Sequence, residues 1–138
     1  MSESSEPFVY YINGSSHSMQ NLSSIAWDIF TPSGELVSFQ GICIGRLTNN
    51  ITEYSALIEL LSDAISLSIH RIIIRLDSQL VVLQLTNICT VRNPTIFRLF
   101  LRVHILERRF EHIHYQHISR NLNTLTDSLA NYVLNRHL

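Results

Sequence analysis

Three consecutive isoleucines, Ile72-Ile73-Ile74, constrain this chain more than any other stretch. They sit inside the run Arg71-Ile-Ile-Ile-Arg-Leu76. Side chains on a strand alternate between faces, so adjacent large apolar residues require burial on both. An earlier stretch, Phe8-Val9-Tyr10-Tyr11-Ile12-Asn13-Gly14, has the same character and closes on a turn residue. Between them, Tyr54, Leu57, Ile58, Leu61, Ala64 and Ile65 recur at helical spacing. A strand, a helix and a strand in this order imply a parallel crossover, with the opening strand central in a mixed sheet.

The remaining elements arrange themselves around that unit. Residues 17–24 are polar and read as a loop, and residues 25–31 as a second strand. There Ile25, Trp27 and Ile29 alternate with Ala26, Asp28 and Phe30. Pro32-Ser33-Gly34-Glu35 signals a hairpin turn into a third strand over residues 36–44. Thr48, Asn49 and Asn50 are N-cap candidates for the helix, which is expected to end near Ser68 and to carry Glu53 in its first turn. Asp77-Ser78 can cap a short helix over residues 79–85, and Pro94 suits the start of another, to about Arg109. Residues 111–118 read as a fifth strand and residues 123–136 as a closing helix. The expected fold is α/β, ordered βββαβααβα: a five-stranded mixed sheet of order 3-2-1-4-5 flanked by helices. The 138 residues suit one domain, with its core over about residues 8–136.

Composition removes several function classes. A hydrophobic share of 46% excludes a disordered chain. Charged residues make up 15% and the net charge is −1, so no strongly basic body grips phosphates indiscriminately. All ten basic residues are Arg, which favours planar, bidentate phosphate contact or reflects source composition. Cys43 and Cys89 form neither a disulfide framework nor a zinc spacing. Residues 1–7 are polar and acidic and do not read as a secretory signal, and the apolar runs are strand-length. The expectation is an intracellular protein, cytoplasmic or nuclear, with no membrane contact. The glycosylation-like triplets at Asn13, Asn21 and Asn50 then read as chance matches.

Three carboxylates stand at element ends: Glu53, Asp77 and Asp127. Singly, each has a plain explanation as a cap or dipole partner. Jointly they matter more, because parallel pairing of the first and fourth strands brings Asn13 and Asp77 out at one edge. Clustered carboxylates are electrostatically costly unless a cation sits among them, and hard oxygen ligands suit Mg²⁺ or Mn²⁺. Two such ions, about 4 Å apart, support phosphodiester cleavage.

Four separated stretches carry a family resemblance: Tyr11-Ile-Asn13-Gly14-Ser15-Ser, Thr48-Asn49-Asn50-Ile-Thr-Glu53-Tyr, Leu76-Asp77-Ser78-Gln79-Leu80-Val-Val, and Arg120-Asn-Leu-Asn123-Thr-Leu-Thr-Asp127-Ser-Leu-Ala. In order and spacing, over nearly all of residues 8–136, they resemble the ribonuclease H type I domain. The likeness is closest to the compact versions in plant retroelement polyproteins. It implies a two-metal endonuclease that cuts the RNA strand of an RNA–DNA hybrid. Glu53, Asp77 and Asp127 would be metal ligands, and Asn13 stands where the family has its first aspartate. Gly14, Ser15, Thr48, Asn49, Asn50, Ser78, Arg120 and Asn123 fall at substrate-contacting positions. An asparagine amide can reach a 2′-OH, which distinguishes RNA from DNA. Neighbouring reverse transcriptase domains are the implied protein partners.

Two departures qualify the resemblance. Asn13 is neutral and a poor bridging ligand, so metal affinity and turnover should be low. The linker over residues 86–93 is too short for the basic protrusion with which some members hold hybrid. Asn13 fits either decay into a non-catalytic binding or interaction module, or a recent or engineered change at an otherwise intact site. Other features have plainer expectations. His112 and His114 share a strand face while His117 points away, which argues against a zinc site. Arg98, Arg102 and Arg109 form one helix stripe, a solvated face or a phosphate contact. Trp27 reads as core.

Overall fold

In the computed structural model, residues 6–17, 22–44 and 49–119 are described, with backbone alone for 12–17, 22–26, 39, 42–44 and 49. Eight elements follow in order. They are β1 (Phe8–His17), β2 (Leu22–Phe30), β3 (Leu36–Ile44), α1 (Asn49–Ser66), β4 (Arg71–Leu76), α2 (Gln79–Leu85), α3 (Pro94–Glu107) and β5 (His112–His117). The expected closing helix over residues 123–136 lies outside the described residues.

The sheet order is β3-β2-β1-β4-β5, as the chain order led one to expect. β1 pairs antiparallel with β2 and parallel with β4, and β4 pairs parallel with β5. β1 is therefore central. The β2–β3 hairpin turns through Gly34 at φ +93°, a left-handed conformation that suits glycine. Thr31 and Glu35 close it by a backbone hydrogen bond of 2.8 Å.

α1 covers one sheet face. Tyr10, Ile29, Ile72, Ile74 and Leu76 from the strands meet Leu57, Leu60, Leu61 and Ala64 from α1 in one buried cluster. Val103 and Ile96 of α3 join it, so α1 is held between sheet and helix. Trp27 is buried, as expected, and donates its indole N–H to Asp63 Oδ2 of α1 at 3.1 Å.

Four expected boundaries move. Residues 17–24 are not wholly loop, because β1 runs to His17 and β2 starts at Leu22. Ser15, Ser16 and His17 pair with Ser24, Ser23 and Leu22, so a backbone ladder forms where side chains gave no apolar pattern. α1 ends at Ser66 rather than Ser68, since Ser68 turns left-handed at φ 59° and Ile69 N–H donates back to Ala64 O at 3.0 Å. α3 stops at Glu107 rather than Arg109, and the β5 ladder spans 112–117 rather than 111–118. No described helix is long and apolar enough to cross a membrane.

Candidate active site

The parallel register of β1 and β4 ends at the pair Ile12 and Leu76. Asn13 and Asp77 are each the next residue, so the two chains reach the same sheet edge in step. β1 continues beyond that point only on its other side, where Asn13 pairs with Ala26 and Gly14 with Ile25. β4 cannot follow, because Ser78 starts α2. Ser78 has extended backbone (φ −95°, ψ 102°) and its hydroxyl oxygen accepts from Val81 N–H at 3.4 Å. Asp77 is thus held between a strand end and a helix cap. On its other flank, Ile118 N–H donates to Leu76 O at 3.0 Å, which carries the β4–β5 ladder up to the site.

Glu53 lies on α1, the helix packed against β1. The helix starts at Asn49, so Glu53 is its fifth residue and lies in the second turn; no acidic residue stands in the first. The expected dipole role of Glu53 is therefore lost, since that effect fades beyond the first turn. Its place is instead on the packed stripe with Leu57, Leu60 and Ala64, at 5% exposure. A charged group that deep calls for a chemical reason. The next residue, Tyr54, is fully buried and donates its hydroxyl to Gln84 Oε1 of α2 at 2.9 Å. Burial raises the Tyr54 phenol above its ordinary range.

Glu53 Oε2 and Asp77 Oδ2 are both closed to solvent. Carboxylate oxygens of this kind suit a hard divalent cation and disfavour zinc or copper. Among the described residues no three His, Cys, Asp or Glu groups stand together as a metal site. Glu53 and Asp77 supply two acids, Asn13 is neutral, and Asp127 lies outside the described residues.

The other candidates divide. Asn49 and Asn50 open α1, and Gly14 and Ser15 belong to the β1 backbone beyond the β4 end. Ser78 Oγ is engaged as a helix cap, leaving its hydroxyl hydrogen to donate elsewhere. Thr48, Arg120 and Asn123 lie outside the described residues. His112, His114 and His117 are exposed, and His117 pairs with Leu76, one residue from Asp77. Arg98 and Arg102 on α3 and Arg109 beyond its end are exposed while Ile96 and Val103 are buried, which fits a solvated face and a phosphate contact alike. α2 ends at Leu85 and α3 starts at Pro94, which leaves no room for a protrusion between them.

Sequence reasoning missed the polar row on the sheet face away from α1. Asp28 of β2 pairs with Tyr11 of β1, Tyr11 with Arg75 of β4, and Arg75 with Gln116 of β5. Asp28 is 1% exposed although its neighbours Trp27 and Ile29 bury the opposite face, so β2 is buried on both sides here. Arg75 Nη1 donates to Tyr11 Oη at 2.8 Å and Nε to Gln116 Oε1 at 2.9 Å. The guanidinium also lies 5.6 Å from the Tyr11 ring centroid. The interruption of an apolar strand by Asp28 was the only local signal.

Comparison with known proteins agrees with this geometry. Residues 11–133 match a family model described as reverse transcriptase-like. Ribonuclease HI of Halobacterium salinarum is 35% identical over 124 residues, 90% of this chain and 62% of that protein. A bifunctional protein of Mycobacterium tuberculosis is 39% identical over 88 residues, 64% of this chain. The aligned part is only 24% of that protein's length. Among solved structures, RNase H1 of the same Halobacterium superposes at TM-score 0.90 with 33% identity, covering 94% of this chain and 98% of that one. LC11-RNase H1 in complex with RNA/DNA hybrid superposes at 0.88 with 26% identity, covering 94% and 98%. A strand register that aligns Asn13 with Asp77, a buried Glu53 and these likenesses converge: the chain belongs to the reverse transcriptase-like family and is a ribonuclease H type I domain.

Proposed function

We propose that this chain, as one domain with its core over about residues 8–136, is a hybrid-directed endonuclease of the ribonuclease H kind, weakened at one ligand. The observation that carries the proposal is the shared edge: Asn13 and Asp77 each one residue past the last β1–β4 pair, with Glu53 buried on the helix packed against β1. A hybrid-bound solved relative supports RNA–DNA hybrid as the substrate.

Glu53, Asp77 and Asp127 would hold two Mg²⁺ or Mn²⁺ ions, with Asn13 as a further, weaker ligand. Such ions, when bound, supply water activation and stabilise the leaving oxygen in phosphodiester hydrolysis. The chain's own residues do the positioning. Asn49 and Asn50, at the start of α1, offer amides to 2′-hydroxyls across the minor groove. Gly14, Ser15, Ser78, Thr48, Arg120 and Asn123 contact the sugar-phosphate backbone. Asn13 carries no charge, so the site attracts divalent ions less than an all-carboxylate one. Neighbouring reverse transcriptase domains and a retroelement origin fit the family match. The half-buried free thiol of Cys89 suits a reducing, intracellular setting, cytoplasmic or nuclear.

The test is Asn13→Asp. The substituted chain should cleave the RNA strand of a hybrid in Mg²⁺ at least about 100-fold faster than the parent, the scale of one charged group in a catalytic site. Asn13 itself favours a second reading, a non-catalytic module that binds nucleic acid or protein. Hybrid binding by Asn13→Asp without any cleavage would select that reading.

A further inference from the structure

Among the described residues, no acid forms an ion pair with Arg75. Its contacts are a phenol oxygen, an amide oxygen and an aromatic ring, all neutral. The ion pairs among the described residues are Arg71 with Glu111 and His104 with Glu107, and Arg75 belongs to neither. The side chain is half-buried. Two hydrogen bonds and a ring contact fix it, unlike a surface arginine that sways in water.

Its position makes the charge consequential. Arg75 is two residues before Asp77 on the same strand, about 7 Å along the chain from strand geometry. Its hydrogen-bond partner Tyr11 is two residues before Asn13 on β1, the strand paired with β4. Asp28 is the other buried charge of the row, but it sits beyond Tyr11 on β2, two strand spacings or about 10 Å away. Along the backbone, Arg75 is thus nearer to the end of β4 than to Asp28.

We infer that Arg75 is a built-in countercharge for the acidic site: a positioning residue that offsets carboxylate repulsion when no cation is bound and that lowers the site's affinity for divalent cations. The inference rests on the metal-binding reading proposed above. A fixed positive charge stabilises clustered carboxylates and repels an incoming Mg²⁺. The amide of Asn13 and the guanidinium of Arg75 act in the same direction, each making the edge less negative.

The experiment compares the parent, Arg75→Met, Arg75→Gln and Arg75→Lys, each also in the Asn13→Asp background. Mg²⁺ binding is followed by titration calorimetry, and melting temperature is measured with and without Mg²⁺. Removing the charge should tighten Mg²⁺ binding roughly sevenfold, what one charge exerts on a divalent ion at about 7 Å in a water-like medium. Arg75→Met and Arg75→Gln should also melt lower without Mg²⁺ and gain more from its addition. Arg75→Lys keeps the charge and loses the planar fork, so its Mg²⁺ affinity should stay within about twofold of the parent. Equal Mg²⁺ affinity in all chains, with melting lowered alike in both conditions, would overturn the inference and leave Arg75 a clamp between strands. Absence of Mg²⁺ binding in every chain, Asn13→Asp included, would overturn the metal reading and this inference with it. If the Met variant does not fold, the Gln and Lys pair decides the same question.

Discussion

Tyr54 and Gln84 join α1, which carries Glu53, to α2, which starts two residues after Asp77. The 2.9 Å bond between them is buried, 30 residues apart in sequence. Tyr54 follows Glu53 directly, and Gln84 lies on the helix that starts just after Asp77 and Ser78. Tyr54→Phe leaves Gln84 Oε1 buried without that donor, and should cost about 1–3 kcal/mol of stability. It should also weaken Mg²⁺ binding in the Asn13→Asp background, because the spacing of Glu53 and Asp77 loosens. Urea denaturation and calorimetry measure the two effects separately.

Glu53→Gln keeps the shape of the buried side chain and removes its charge. In the Asn13→Asp background, Mg²⁺ should then raise the melting temperature by less than half as much as before. Cleavage should fall by about 100-fold or more, as expected for loss of a charged group at the reacting centre. An unchanged Mg²⁺-induced shift would mean that Glu53 is not a ligand.

Asn93→Ala should serve as a stability control away from the chemistry. Asn93 Oδ1 accepts from Thr95 N–H at 2.9 Å and Ile96 N–H at 3.1 Å, capping α3 ahead of Pro94. Its loss should cost about 1 kcal/mol. Mg²⁺ affinity should not move. Ser78→Ala removes a longer cap contact of 3.4 Å and should cost less, yet it adjoins Asp77 and should alter the metal titration.

Alkaline pH should unfold the chain through three tyrosines. Burial raises the phenols of Tyr10, Tyr54 and Tyr115 above the ordinary value of 10.0. The negative charge of Asp63 adds to this for Tyr10, and Glu107 for Tyr115. All three stay protonated in the fold while the unfolded chain ionises above pH 10. Their contribution is complete below pH 10 and is lost as pH rises above it. The slope should approach about 4 kcal/mol per pH unit while all three hold their protons. Tyr115→Phe should reduce that slope by about a third, measured by denaturant titration between pH 9.5 and 11.5, roughly the range where free phenol ionises.

The sheet was legible because its strands carry their own patterns. Ile72-Ile73-Ile74 announces burial on both faces, and β4, α2 and β3 begin and end where their residues suggest. Three features were not legible, each for a physical reason. The serine-rich ends of β1 and β2 pair through backbone groups that every residue has, so side-chain pattern is silent there. α1 begins two residues before Ile51, where Asn49 and Asn50 read equally as cap or first turn, and this moved Glu53 from a helix start to a packed stripe. The Asp28–Tyr11–Arg75–Gln116 row joins four strands far apart in sequence, and no local window contains it. At the candidate site, motif spacing singled out Asn13, Glu53 and Asp77, while the burial of Glu53 and the shared strand end of Asn13 and Asp77 came only with the fold.

The central position of β1 has a consequence for biosynthesis. β1, β2 and β3 can zip together from neighbouring segments as soon as they leave the ribosome. The partner for the other edge of β1 is β4, which emerges only after the whole of α1 has been made. Until then a strand as apolar as Phe8–Ile12 presents an open row of amides and carbonyls to any chain nearby. A nascent chain stalled between residues 45 and 70 should therefore be its most aggregation-prone form. The pairing that relieves the hazard, Ile12 against Leu76, is the same event that brings the Asn13 and Asp77 positions to one edge, so the open strand is covered and that edge is formed in one step.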